Sequence, residues 1–312
     1  MIPIIEPISR EIIERELTAE RFVRTTNKSN NQIYIINAHN SPNVMLELGR
    51  VRELTFRNAG GGTGKEVDID EYDMAEVPFE QLIVWNPEDK EIVSAYRYIL
   101  GANLPFDDKK QPISPTAHLF EYSEKFIKDY LPYTIELGRS FVQTQYQPSV
   151  NMRKGLFALD NIWDGLGALL VLNPQIKYFF GKMTMYDDFP RAARDMILFV
   201  LNKYFGDKEH LVYPNQPKLI NTPIAQLESI FVGATLEEDF KILNTNVRLQ
   251  KVNIPPLINI YMGLTPTMKC FGTSANEDFG SVEETGIMIT VDDIYTAKKD
   301  RHIATFTNTQ TT

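Results

Sequence analysis

Asp70-Glu71-Tyr72-Asp73 and Glu136-Leu137-Gly138-Arg139 put paired carboxylates and an arginine on what read as neighbouring elements. Carboxylates that hold or deprotonate a cationic amine, beside an arginine that holds an anion, suit a protein that handles both groups at once. Arg97, in Ala95-Tyr96-Arg97-Tyr98, adds a second arginine able to grip a carboxylate with two hydrogen bonds. Each also has a plainer reading. Asp70–Asp73 suits a solvated acidic turn, Glu136 and Arg139 suit two separate structural ion pairs, and Arg97 suits a buried salt-bridge partner. Arg153-Lys154 precede an apolar helix; they read as solvated surface or as a contact for a phosphate or an acidic partner at a helix N-terminus.

Other chemistry is sparse. Gly60-Gly61-Gly62-Thr63-Gly64-Lys65 fails as a phosphate-binding loop, because Ala59 stands at its first position and Glu66 at its last. It reads as a flexible connection or lid. Cys270 is the single cysteine, so no disulfide framework exists. His39, His118, His210 and His302 are scattered without metal-ligand spacing, so no metal site is expected. Ser140, Cys270 and the histidines form no nucleophile–base pattern.

The elements that must position these groups follow from the pattern. A 3.6-residue apolar period predicts a helix over about 9–24. Gln32–Asn37 reads as a strand, and Ser41-Pro42 opens a helix that should end at Gly60, with Ser41 as its N-cap. Gln81–Trp85 and Ile92–Leu100 flank the turn signal Asn86-Pro87-Glu88-Asp89. Thr134–Val142 is a further strand. Its alternation puts Ile135, Leu137, Arg139 and Phe141 on one face and Glu136, Gly138 and Ser140 on the other. Glu136 and Arg139 can then share a site only if the strand bulges or splays, and Gly138 is where that can happen. Helices over 157–172 and 188–205, a strand over 177–185, a Pro- and Asn-rich loop over 213–223, a helix near 236–248, a break at Pro255-Pro256 and strands near 268–271 and 286–290 complete a mixed α+β chain. No linker composition interrupts it. One elaborated domain over 1–296 and a frayed tail over 297–312 are expected.

Composition narrows the function. With 43% hydrophobic and 23% charged residues the chain is ordinary globular material. A net charge of −9 and a pI near 5.1 argue against nucleic acid as a partner. The first residues lack a signal-peptide pattern, and the longest apolar runs are shorter than a bilayer span, so a cytoplasmic location is the default expectation. Apolar helix positions such as Ile162, Leu166, Leu169 and Leu170 read as core rather than as the lining of an apolar tunnel.

Together these segments resemble the N-acyltransferases that begin aminolipid synthesis, the ornithine-lipid and glycine-lipid type often labelled hemolysin-like. That family is a branch of the GNAT superfamily, close to the acyl-homoserine-lactone synthases. The matching pieces run in order: Arg52-Glu-Leu-Thr-Phe56, Asp70-Glu-Tyr-Asp73, Glu91-Ile-Val-Ser-Ala-Tyr-Arg97, Glu136-Leu-Gly-Arg139-Ser140, Ile162-Trp-Asp-Gly-Leu166 and Tyr178-Phe-Phe-Gly181. Pro255-Pro-Leu257, Tyr261 and Asp278-Phe-Gly280 resemble the acyltransferases' own tail. They set the chain apart from the lactone synthases, the enzyme alternative that would consume S-adenosylmethionine. A non-enzymatic membrane-lytic hemolysin is the other alternative, and it would need a secretion signal or a long amphipathic segment. Residues 1–40 lie outside the clear match.

The resemblance implies a twisted, mostly antiparallel GNAT-like sheet flanked by helices, with a splayed strand pair at the active site. It implies transfer of a 3-hydroxylated or plain fatty acyl group to the α-amine of glycine or ornithine. Acyl carrier protein or acyl-CoA serves as co-substrate, with no tightly bound cofactor. The superfamily's pyrophosphate loop has no clear counterpart between Val142 and Phe157, where Arg153-Lys154-Gly155 is at most a remnant. This fits a donor on acyl carrier protein. Such a carrier is acidic, so Arg153, Lys154, Arg191 and Arg194 are candidates for a local basic face. Peripheral contact with the inner membrane is compatible with this role. Glu136 is the expected base and Arg139 the expected catalytic partner. Arg97 or Arg139 would clamp the acceptor carboxylate, while Asp70 and Asp73 attract the amine or organise the arginines. Arg52 and Phe56 belong with the acceptor site. Phe141, Val142, Arg153 and Lys154 belong with the donor, and backbone N–H groups of the 141–144 segment would stabilise the oxyanion.

Overall fold

The computed structural model describes residues 1–307. In chain order the elements begin with α1 (Arg10–Glu16), β1 (Phe22–Thr25), β2 (Gln32–Ile36), α2 (Pro42–Asn58), β3 (Glu80–Asn86), β4 (Glu91–Leu100), β5 (Phe120–Tyr122) and β6 (Thr134–Val142). They continue with α3 (Met152–Gly155), α4 (Ala158–Leu172), β7 (Tyr178–Met185), α5 (Arg191–Phe205), β8 (Val212–Pro214), α6 (Ile224–Ile230), α7 (Leu236–Leu249), α8 (Pro256–Met262), β9 (Lys269–Asn276), β10 (Val282–Thr290) and α9 (Thr296–His302). The strand pairings are antiparallel, and helices flank the sheets. The fold class is therefore the expected mixed α+β one. The chain forms two compact units.

The first unit takes residues 1–104, 133–177 and the chain from Tyr295 onward. Its strands run in the order β1-β2-β3-β4-β6. Helix α2 covers one face. It is amphipathic, with Val44, Leu48, Val51 and Phe56 buried. Helix α4 covers the other face, where a Cβ on Gly165 would lie 2.6 Å from Leu82 Cδ2. A helix this close to the sheet needs glycine at that position. The stretch Met152–Leu172 is apolar and long enough to cross a bilayer, yet it is mostly buried in the protein. Ile162, Leu166, Leu169 and Leu170 are core, as their spacing suggests.

Several expectations change. The helix expected over 9–24 stops at Glu16, because Phe22–Thr25 pairs with β2 in a tight hairpin closed by Thr26 N–H to Asn31 O. Ser41 makes no side-chain cap on α2. The carboxylate of Glu16 does so instead, accepting from Asn43 N and Val44 N at 2.9 Å. The Pro255-Pro256 break opens helix α8, with Pro256 at its first turn. The frayed tail is corrected over 297–307: α9 docks on α4, with buried His302 Nδ1 2.8 Å from Asp164 Oδ1. A Cβ on Gly167 would sit 2.1 Å from the His302 carbonyl oxygen. Residues 308–312 of the expected tail lie outside the described residues.

The second unit takes residues 105–132 and 178–294. It contains the antiparallel set β7-β10-β9 and the β5–β8 ribbon. Phe126, Phe180, Phe271 and Tyr122 pack ring against ring in its core.

Candidate active site

The site forms on the α2 face of β3, β4 and β6, inside the first unit. Register sets which side chains share that face: Gln81 opposes Arg97, Arg97 opposes Gly138, and Ile99 opposes Glu136. The ladder then slips, because Ala95 opposes Phe141. Arg139 and Ser140 together face Tyr96, and Arg139 has a left-handed backbone with φ +49°. This is a β-bulge beside Gly138, at the place where a distortion was expected. It has a consequence that strict alternation misses. The extra residue reverses parity beyond it, so Phe141 joins the face of Glu136 and Gly138, where its ring packs edge-on against Phe56 at 6.0 Å. The bulge also brings Arg139 to the 68–70 segment on this same face.

Three arginines and three aspartates interlock there. Arg97 Nη1 donates to both carboxylate oxygens of Asp70 at 2.8 and 2.7 Å and lies 3.2 Å from Asp73. Arg52 lies 3.4 Å from Asp73 and donates to Gln81, whose amide in turn donates to Asp73 at 2.8 Å. Arg139 Nε lies 2.8 Å from Asp68 Oδ2, and its Nη2 lies 3.7 Å from Asp70. The ring of Phe79 lies under the Arg97 guanidinium, at 5.2 Å. Each of the three aspartates is thus ion-paired with an arginine. Asp68 was not singled out by sequence; its place two residues before Asp70 was the available signal.

Access differs sharply among these side chains. Arg52, Asp73 and Arg97 are 0–1% exposed, whereas Arg139 and Asp70 keep 15% and 16%. The reachable end of the network is the Arg139–Asp70 pair. The Nε groups of Arg52 and Arg97 are buried donors without an acceptor among the described residues. Burial pushes the Asp70 carboxyl up, but the charge and hydrogen bonds of Arg97 and the charge of Arg139 overcome this and hold it down at about 2. Glu136 is buried on the same face. Burial pushes the Tyr72 phenol up, and nearby carboxylates push it the same way while Arg97 opposes them.

The residues expected at the donor are placed differently. Phe141 is buried against Phe56, and Val142 is half-buried. Lys154 is drawn to Asp89 at 2.7 Å and over the Tyr146 ring, while Arg153 is exposed. Within the 141–144 segment the Gln143 N–H is committed to Val93 O at 2.9 Å and is not an oxyanion donor. In the second unit Arg194 is a correction to the expected basic face. It is buried, pairs with Glu283 and Asp195, and also bonds the Leu219 carbonyl. Arg191 pairs with Asp187 and Glu283.

Residues 51–154, which carry the whole cluster, match the family described as an acetyltransferase (GNAT) domain. With the mostly antiparallel sheet flanked by helices, this makes the chain a GNAT-type acyltransferase. Two curated relatives, each named glycine N(alpha)-acyltransferase, are 57% identical to it over 306 residues. One is from Bacteroides thetaiotaomicron and the other from Phocaeicola vulgatus. The alignments cover 98% of this chain and 91% and 94% of the relatives. No solved structure gives a significant match. The chain belongs to the GNAT-superfamily N-acyltransferases that join an acyl group to the amine of an amino acid.

Proposed function

We propose that this enzyme transfers a fatty acyl group, 3-hydroxylated in its preferred form, from acyl carrier protein to the α-amine of glycine, the first step of an aminolipid pathway. The observation that carries the reading is the partly exposed Arg139–Asp70 pair at the end of an otherwise buried charge network. A small zwitterion complements it. The glycine carboxylate sets against Arg139, backed by the unsatisfied Arg97 Nε, and the ammonium sets against Asp70. Full-length similarity to enzymes named for glycine supports that acceptor.

The chemistry is direct acyl transfer. The ammonium is largely protonated near neutral pH and must lose a proton before attack. Glu136, directly or through a water, takes that proton. The free amine then attacks the thioester carbonyl, a C–N bond forms, the C–S bond breaks, and the thiol leaves with a proton. The exposed Arg153 beside α4 is the donor-side cation that suits an acidic carrier. The test is an assay of purified protein with 3-hydroxyacyl carrier protein or the matching acyl-CoA, across glycine, ornithine, serine and lysine. Mass spectrometry should find N-acylglycine as the main product and the carrier-bound donor as the faster one. Preference for another amino acid, or for acyl-CoA, would refute the corresponding half of the reading.

A further inference from the structure

Helix α2 carries two i, i+4 pairs offset by one residue. Arg52 and Phe56 face the sheet, while Glu53 and Arg57 face the glycine-rich loop. Glu53 is fully buried. It accepts from Thr63 N at 3.0 Å, Thr63 Oγ1 at 2.8 Å, Gly64 N at 2.7 Å and Arg57 Nε at 2.7 Å. Arg57 then reaches two further strands of chain, donating to Lys65 O at 2.5 Å and to Ile2 O at 2.7 Å. The N-terminal residues close the clamp, with Ile2 N–H on Gly64 O at 3.0 Å and Ile5 N–H on Glu66 O at 3.3 Å. Two residues beyond Glu66, Asp68 N–H bonds Gly49 O, and a Cβ on Gly49 would lie 2.7 Å from Ile69, so this segment lies tight on α2.

The loop that reads from sequence as a flexible connection or lid is thus fastened at residues 63–66. The chain leaving it supplies Asp68 to Arg139 and Asp70 to Arg97 and Arg139. Gly60, Gly62 and Gly64 have positive φ, which lets the chain double back so that successive N–H groups converge on one carboxylate. We infer that Glu53 and Arg57, with the N-terminal segment Met1–Ile5, are a positioning clamp that sets Asp68 and Asp70 against Arg139 and so sets the affinity for the amino-acid acceptor.

This inference rests on the acceptor site proposed above, and the experiment separates the two. Steady-state constants for glycine and for the acyl donor are measured in Arg57→Ala, in Arg57→Lys, in a protein lacking residues 2–5, and in Arg139→Ala. A misplacement of about 1 Å caused by a distant substitution can cost up to about 100-fold, so a range of roughly 10- to 100-fold is expected. Arg57→Ala should raise the KM for glycine by that range and leave the KM for the donor unchanged. Arg57→Lys, which keeps the charge and part of the reach, should recover part of the loss. The truncation removes the Ile2 and Ile5 contacts, leaves Glu53 and Arg57 in place, and should shift the glycine KM in the same direction by less. If Arg57→Ala fails to fold, the truncation carries the same test. A normal glycine KM in both, or a donor KM that rises in step, would overturn the inference. A normal glycine KM in Arg139→Ala would instead show that the acceptor site itself is misplaced.

Discussion

At the scale of single residues, the site separates sealed groups from groups that keep access to solvent. Arg52, Arg97 and Asp73 are sealed, and their charges are opposed at 3.2–3.4 Å. Removing one partner of such a set strands the others in a buried environment, so their first duty is to keep the 68–73 segment fixed. Arg139 and Asp70 retain access to solvent. Glu136 is buried on the same face. On this account Glu136→Gln keeps the size and packing of the side chain and removes its ability to accept a proton. Turnover should fall by about 10²–10⁴-fold, the usual contribution of a general base, while the melting temperature and the glycine KM stay near wild type. Wild-type turnover in that variant would remove Glu136 from the mechanism. The sequence alone marked Arg52, Asp70, Asp73, Arg97, Glu136 and Arg139, and all six lie on one face. It did not mark Asp68 or Gln81, whose partners lie 71 and 29 residues away, nor Glu53, whose i, i+4 spacing to Arg57 gives no sign that it also holds a loop 10 residues on. Nothing local distinguishes a structural carboxylate from a solvated one.

At the scale of elements, one bulge and one fastened loop make the site. β6 was legible to its end residues, and the need for a distortion was legible from the opposed parity of Glu136 and Arg139. The reversal of Phe141 was not, since it depends on which residue the bulge adds. The α9 helix was hidden for a similar reason: its docking depends on His302 meeting Asp164, a contact 138 residues apart. The fastened loop has a testable acid response. The Asp70 carboxyl is held at about 2, below its ordinary 3.8. A group depressed in the folded state contributes stability that is fully present above the unfolded value and is lost as pH falls through the folded one. Attachment of the 68–73 segment to β4 should persist down to about pH 4 and weaken between 3.8 and about 2. Amide hydrogen exchange of this segment should rise over that window, and Asp70→Asn should flatten the rise. An identical acid profile in Asp70→Asn would show that Asp70 is not the titrating latch.

At the scale of the whole molecule, the described site residues come from the unit that gathers three separate stretches of chain. The segment 1–40, which had no role on sequence grounds, supplies two strands, the Glu16 cap on α2 and the N-terminal side of the loop clamp. The similarity to enzymes named glycine N(alpha)-acyltransferase extends over 98% of this chain and is not confined to residues 51–154. The proposal that the molecule makes N-acylglycine from a donor on acyl carrier protein can be examined in a living cell. It is tested most directly by expressing the wild-type protein and Glu136→Gln in a bacterium that makes no aminolipids, then analysing the extracted lipids by mass spectrometry. New N-acylglycine, carrying 3-hydroxyacyl chains, is expected with the wild type and little or none with the variant. Acylation of a different amino acid, or equal N-acylglycine from both proteins, would contradict the proposal.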